Sequence, residues 1–309
     1  MLRLAEAGWF RRLATGPLGW RVASRFVAGE TLDDAIRVAK ALDGRGIASI
    51  LDHLGEHVTA PEHVTEAVAA YLRALDRVRL EPFLDVQLSV KLTQLGLDFS
   101  HELAVANMER LLAAAEEAGT VVMIDMESSG YVDRTLRVFR ELRERHERVG
   151  VALQAYLRRT PGDVDALPPA SIVRMVKGAY LEPPEVAYPS RREVDAAFAR
   201  LTATLLSRGH TVHVATHDEA LLRGAIAYVE RRGFPWTRVE LQMLYGIRRD
   251  LQRSRARQGY PVRVYVPYGA EWYPYLTRRL AERPANMWFF ISNLVRFGRS
   301  WTTMGGTTG

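Results

Sequence analysis

The chain has 309 residues, 48% hydrophobic and 25% charged, with a net charge of +6 and no cysteine, a composition that suits one large globular core. Disulfides, thiolate catalysis and Cys-ligated metals are therefore excluded. No run approaches the roughly 18 apolar residues of a membrane span, and no cleavable signal pattern opens the chain, so a cytoplasmic protein is expected. A pI near 9.7 raises nucleic acid as a partner, but the basic residues are spread along the chain beside acidic ones, without a nucleic-acid-binding motif, and no such role is expected.

Residues 1–45 read as an N-terminal helical arm. Leu2, Leu4, Trp9, Phe10, Leu13 and Trp20 are interleaved with Arg3, Arg11, Arg12 and Arg21, and a second helix starts at Thr31 with Asp34 in its first turn. The basic amphipathic segment offers peripheral contact with an anionic membrane; a lid packed on the domain explains the same pattern and is the favoured reading. Strand-like runs follow at 48–52, 83–92, 121–126, 151–155, 172–177, 211–216, 239–243 and 262–266. Helical patterns separate most of them, at 61–78, 101–118, 131–147, 191–207, 218–231 and 247–257. Ser190 with Glu193, and Thr59 with Glu62, have capping-box spacing. The connection 161–170 is too short for more than a turn or two of helix, and 181–189 is an extra loop. Alternation of this kind, with no break in composition, predicts an α/β fold: a single (β/α)8 TIM-like barrel over 46–300 with extra N-terminal helices. A doubly wound open sheet ranks behind it, because no G-x-G-x-x-G follows an early strand. The tail 301–309 reads as disordered.

Active sites of such barrels form at the C-terminal ends of the strands. Those ends carry Asp52, Lys91, Asp125, Gln154, Arg174 with Lys177, Thr216 with His217, Gln242 and Tyr265. Buried charges are costly unless paired, so a ring of polar groups at one rim points to a ligand site. Of the 42 basic residues only Lys40, Lys91 and Lys177 are lysine, and two of these fall at strand ends. Lys91 and Asp125, on adjacent strands, are expected to pair. Gln154 offers the mixed donors and acceptor that a heterocycle requires. Gly178 and Ala179 let backbone approach a ligand. His53, His57 and His63 raise a metal site, but Gly55 suggests a loop there, and no metal is expected. After the last strand, helical spacing places Tyr275, Arg278, Arg279 and Glu282 on one face. Two guanidiniums beside a phenol and a carboxylate make a poor core face and a good carboxylate clamp.

The ordered motifs Ser89-Val-Lys91, Ile124-Asp125, Leu153-Gln-Ala-Tyr156, Arg174-Met-Val-Lys-Gly-Ala-Tyr180, Ala215-Thr-His217, Glu240-Leu-Gln-Met-Leu-Tyr-Gly246, Val264-Tyr-Val-Pro-Tyr-Gly269 and Tyr275-Leu-Thr-Arg-Arg279 resemble those of the proline dehydrogenase family. The likeness spans roughly residues 30 to 285 and is closest in kind to the monofunctional bacterial members. It implies an FAD-dependent barrel that oxidises L-proline to Δ1-pyrroline-5-carboxylate and reduces a quinone, peripherally at the inner face of the membrane. By this resemblance Lys91, Arg278 and Arg279 hold the proline carboxylate, and Tyr265, Tyr275 and Leu244 enclose the ring. Glu282 holds an arginine, Asp125 keeps Lys91 placed, and Arg174 stands near the reactive edge of the flavin. Met126, Gln154, Val176, Lys177, Gly178, Ala179, Thr216, His217 and Gln242 match cofactor-contacting positions. Arg283 replaces the Asn of many members, and Leu181 the Trp of the bifunctional ones, which bears on pocket shape. Two rivals remain: a folate-using flavin barrel related to methylenetetrahydrofolate reductase, and a non-enzymatic basic protein that would carry no flavin.

Overall fold

A computed structural model describes residues 20, 23–55 and 58–281 of the protein, without the side chains of 277–281. Eight parallel strands close into a barrel in sequence order: β1 (Ala48–His53), β2 (Val86–Val90), β3 (Val122–Ile124), β4 (Val149–Gln154), β5 (Ile172–Val176), β6 (Thr211–Ala215), β7 (Val239–Leu244) and β8 (Val262–Tyr268). β8 pairs with β1 to complete the ring, Ile50 facing Tyr265 and Asp52 facing Pro267. The helices are α1 (Leu32–Asp43), α2 (Pro61–Arg79), α3 (His101–Glu117), α4 (Val132–Arg143), α5 (Thr160–Asp165), α6 (Arg191–Ser207), α7 (Glu219–Arg232), α8 (Arg249–Arg257) and α9 (Trp272–Ala281).

Period-two alternation divides each strand between two environments. On β2, Val86, Leu88 and Val90 face outward and join the large apolar cluster with the helices, as do Val173 and Met175 on β5 and Val262, Val264 and Val266 on β8. The intervening positions face the lumen, and many of them are polar. Ser89, Arg174, Gln242 and Arg263 are buried there, where the usual lining of such barrels is bulky and branched.

The predicted barrel is present, with local differences. The expected strand at 83–92 shrinks to Val86–Val90, and Phe83 is 95% exposed in the turn before it. The expected helix at 131–147 ends at Arg143, because the chain must turn into β4, which starts at Val149. Thr31 and Asp34 form a reciprocal capping box on α1, and Ser190 accepts from the Glu193 N–H at the start of α6. The Thr59–Glu62 box does not form. Ala60 takes the cap position without a side-chain bond, and Pro61 opens α2, where its missing N–H costs nothing.

The end of the N-terminal arm packs across the barrel mouth. Ala23 and Val27 form a second apolar cluster with Leu54, Trp272, Tyr275 and Leu276. Ala28 N–H donates to the Pro267 carbonyl at 2.9 Å, and Gly269 N–H donates to the Gly29 carbonyl at 3.0 Å. Gly269 has φ 133°, and a Cβ there would meet the Leu54 backbone, so the junction needs glycine. Residues 1–19, 21 and 22 of the expected arm and the tail 301–309 lie outside the described residues, as does His57.

Candidate active site

The lumen polar groups converge on Arg174, the middle residue of β5, which is 3% exposed. Its side chain crosses the barrel. Nη1 donates to Asp125 Oδ1 at 2.5 Å and to Ser89 Oγ at 3.0 Å, while Nε donates to Gln242 Oε1 at 2.8 Å. Nη2 is buried with no partner among the described residues. The Tyr265 ring lies 5.4 Å from the guanidinium, a cation–π arrangement, and its hydroxyl donates to Asp125 Oδ2 at 2.8 Å. Ser89 Oγ also donates to Asp125 Oδ1 at 2.7 Å. Burial, with Asp125 beside it, pushes the Tyr265 phenol well above its usual range, so it stays neutral and donates.

Lys91 corrects one expectation. Its ammonium bonds Asp52 on β1 at 3.1 Å, whereas Asp125 is held by Arg174, Ser89 and Tyr265. Lys91 follows β2, which has two neighbours, and the lysine turns to β1 and not to β3. Burial works against its charge, but Asp52 and Asp125 together raise its pKa, so the ammonium is kept. Asp52 is 1% exposed, and its Oδ2 is buried without a partner among the described residues.

The ends of β4, β5 and β6 carry the other expected positions. Gln154 is buried and uses one amide N–H on the Glu127 carbonyl at 2.9 Å, and Glu127 accepts from Thr93 Oγ1 at 2.9 Å. Val176 is in register with Gln154. Lys177 is shared between Asp195 at 2.5 Å and Asp218 at 3.2 Å. Thr216 Oγ1 accepts from the Asp218 N–H, and His217 Nε2 from the Leu244 N–H at 2.8 Å. Gly178 has φ 124°, and a Cβ there would meet the Tyr156 ring, so this turn after β5 needs glycine; Ala179 follows it. Met126 is buried in the large apolar cluster. Tyr275 is buried on α9. The backbone of α9 includes Arg278 and Arg279, whose side chains lie outside the described residues, as does Glu282 altogether.

A family model described as proline dehydrogenase matches residues 35–291. The chain belongs to the proline dehydrogenase family. Among curated relatives, a proline dehydrogenase of Deinococcus radiodurans is 41% identical over 96% of this chain and 97% of its own length. Proline dehydrogenase 1 of Bacillus subtilis strain 168 is 37% identical over 89% of this chain and 91% of its own. Among solved structures, proline utilization A (PutA) from Bdellovibrio bacteriovorus, inactivated by N-propargylglycine, superposes with a TM-score of 0.78 at 25% identity, covering 84% of this chain and 32% of that one. For a proline dehydrogenase fold, the site contains members that sequence reasoning left without a role: Ser89, the partner of Asp125, and Asp52, the partner of Lys91. Both lie at inward-facing strand positions, and that was the available signal.

Proposed function

We propose that the barrel mouth oxidises L-proline to Δ1-pyrroline-5-carboxylate with FAD as cofactor, and that the electrons pass on to a quinone. Oxidation of proline follows from membership of the family; the product, the flavin type and the acceptor are proposed. What carries it is a buried guanidinium, fixed on two sides, with a nitrogen that has no partner among the described residues, in the lumen of a family barrel. A buried orphan donor is costly alone and is accounted for when a polar group completes it. The donor set suits an isoalloxazine: Arg174, one end of the Gln154 amide and the strand-end backbone around Gly178 offer donors and acceptors along one arc of the rim. Bound there, FAD supplies the two-electron acceptor for the hydride that leaves the ring carbon beside the nitrogen.

The chain's own residues bind, orient and balance charge. Lys91, kept charged by Asp52, together with Arg278 and Arg279 grips the proline carboxylate, since fixed cations orient a small acid as well as bind it. Tyr265, Tyr275 and Leu244 shape the apolar side of the pocket, and Glu282 steadies an arginine of the clamp. Arg174 would stabilise the negative charge that develops on the hydride acceptor as proline is oxidised. Asp125 is engaged by three donors, so it sets the field on Arg174 and does not take the amine proton. The ring nitrogen loses its proton to solvent before the hydride leaves. Met126, Val176, Lys177, Ala179, Thr216 and His217 belong to the cofactor side of the mouth. Among the described residues no helix is long and apolar enough to cross a membrane; the quinone is proposed to be met peripherally.

The test is steady-state oxidation with a soluble quinone as acceptor. L-Proline should be consumed with formation of the cyclic imine, and methylenetetrahydrofolate should give no turnover. Turnover of the folate alone would replace this reading with its rival.

A further inference from the structure

Gln242 was expected to contact the cofactor, yet its side chain is taken up inside the barrel. Its Oε1 accepts from Arg174 Nε at 2.8 Å, and its Nε2 reaches both Glu240 Oε1 at 2.7 Å and His213 Nδ1 at 3.0 Å. A primary amide has two N–H donors and one carbonyl oxygen. With both donors claimed by Glu240 and His213, the oxygen has a single orientation, towards Arg174. The acceptors are suited to that task. Burial pushes the His213 imidazole down to about 4, so the ring is neutral and Nδ1 can accept. Burial acts to raise the Glu240 carboxyl, but the Arg263 guanidinium bonded to it outweighs burial and leaves it ionised, at about 2.

Glu240 is itself anchored. Arg263 Nε donates to both its oxygens, at 2.8 and 2.9 Å. Arg263 Nη2 donates to both carboxylate oxygens of Asp85, at 2.9 and 3.0 Å, and Nη1 donates to the Ser49 and Asp85 carbonyls. Every guanidinium nitrogen of Arg263 is therefore in use. These links form one continuous chain from the barrel floor to the mouth, through the lumen and not through the helices.

We propose that Gln242 is a positioning residue for Arg174, and that the Asp85–Arg263–Glu240 cluster at the floor fixes Gln242 for that purpose. A guanidinium held only at Nη1 can swing about that contact. Held also at Nε, it is fixed in plane and direction, and Nη2 is the nitrogen left to face the mouth. Buried, fully bonded networks of this kind specify one arrangement of their members. The inference rests on the function proposed above for Arg174, but the geometry it concerns can be read without substrate.

The experiment is a double-mutant cycle on the flavin-loaded protein, using Gln242→Met, Arg174→Met and the pair, since contacting residues couple and independent ones add. Gln242→Met should lower kcat for proline about tenfold to a hundredfold, the range for one hydrogen bond to a charged group, with KM changed by no more than about twofold. In the Arg174→Met background the same change should cost nothing further. An equal fold-loss in both backgrounds, or no loss in either, would overturn the proposal. If Gln242→Met fails to fold, Glu240→Gln takes its place, with a smaller loss expected that again vanishes once Arg174 is gone. In parallel, nitrogen-15 NMR of the same proteins should show a slowly exchanging arginine Nε–H that disappears in Arg174→Met and exchanges fast in Gln242→Met. Unchanged exchange in Gln242→Met sinks the positioning role whatever the substrate, whereas a wild-type protein that leaves proline untouched but shows the NMR pattern sinks only the assigned reaction.

Discussion

The two ends of the barrel lumen both hold buried charges where a structural barrel would place Val, Ile or Leu, but they are bonded differently. At the floor, all the nitrogens of Arg263 donate, and its two carboxylate partners are each bound through both oxygens. At the mouth, Arg174 Nη2 and Asp52 Oδ2 are buried with no partner among the described residues. The Arg263 cluster is closed on itself, whereas Arg174 and Asp52 each keep a buried atom that the described residues do not satisfy. Because leaving a buried polar group unsatisfied costs about 1–3 kcal/mol, the difference separates a stabilising cluster from a binding one. Floor substitutions should register mainly as stability, and mouth substitutions mainly as substrate affinity and rate.

The largest effect is expected at the floor. Arg263→Met strands Glu240 without its guanidinium, and breaking a buried pair by removing one partner costs about 3–5 kcal/mol, measurable by urea denaturation; a loss below about 1 kcal/mol would break the contrast. The floor also carries a pH signature. Glu240 is depressed from 4.5 to about 2, so its contribution to stability is present above the ordinary carboxylate range and lost as pH falls towards 2. Glu240→Gln should flatten that part of the acid unfolding curve, and identical curves would show that Glu240 is not held as described.

At the mouth, Arg278→Met or Arg279→Met should raise KM for proline about tenfold to a hundredfold, since each charge-assisted bond is worth about 1.5–3 kcal/mol, with flavin content near normal. Proline affinity that survives both changes would remove α9 from the carboxylate clamp. The smallest effect belongs to Tyr265→Phe, which removes one neutral donor from Asp125. Flavin reduction by proline should slow about fivefold, in keeping with roughly 1 kcal/mol for such a bond; an unchanged rate in stopped flow would leave the phenol a spacer.

The barrel itself was legible because strand alternation is a property of the chain: Val262-Arg-Val-Tyr-Val266 shows which residues face the helices and which face the lumen. Arg174, Gln242 and Tyr265 were readable as inward-facing for the same reason. Which partner an inward group takes was not readable. Lys91 has strands on both sides, and the sequence favours Asp125 no less than Asp52. The floor network was missed although Glu240 and Arg263 sit at lumen positions of adjacent strands, because its third member, Asp85, precedes β2 and meets them only when the barrel closes. Phe83 misled the strand boundary, since an aromatic that reads as strand-forming sits exposed in a turn. The Thr59–Glu62 spacing misled the cap, because Pro61 sets the start of α2 one residue later.

The account depends on the barrel mouth being where proline meets a bound flavin. Anaerobic addition of L-proline to the purified protein tests this most directly: the oxidised-flavin absorbance should disappear, with one cyclic imine formed per flavin. A protein that is colourless as purified, or a flavin spectrum that excess L-proline leaves unchanged, would contradict it.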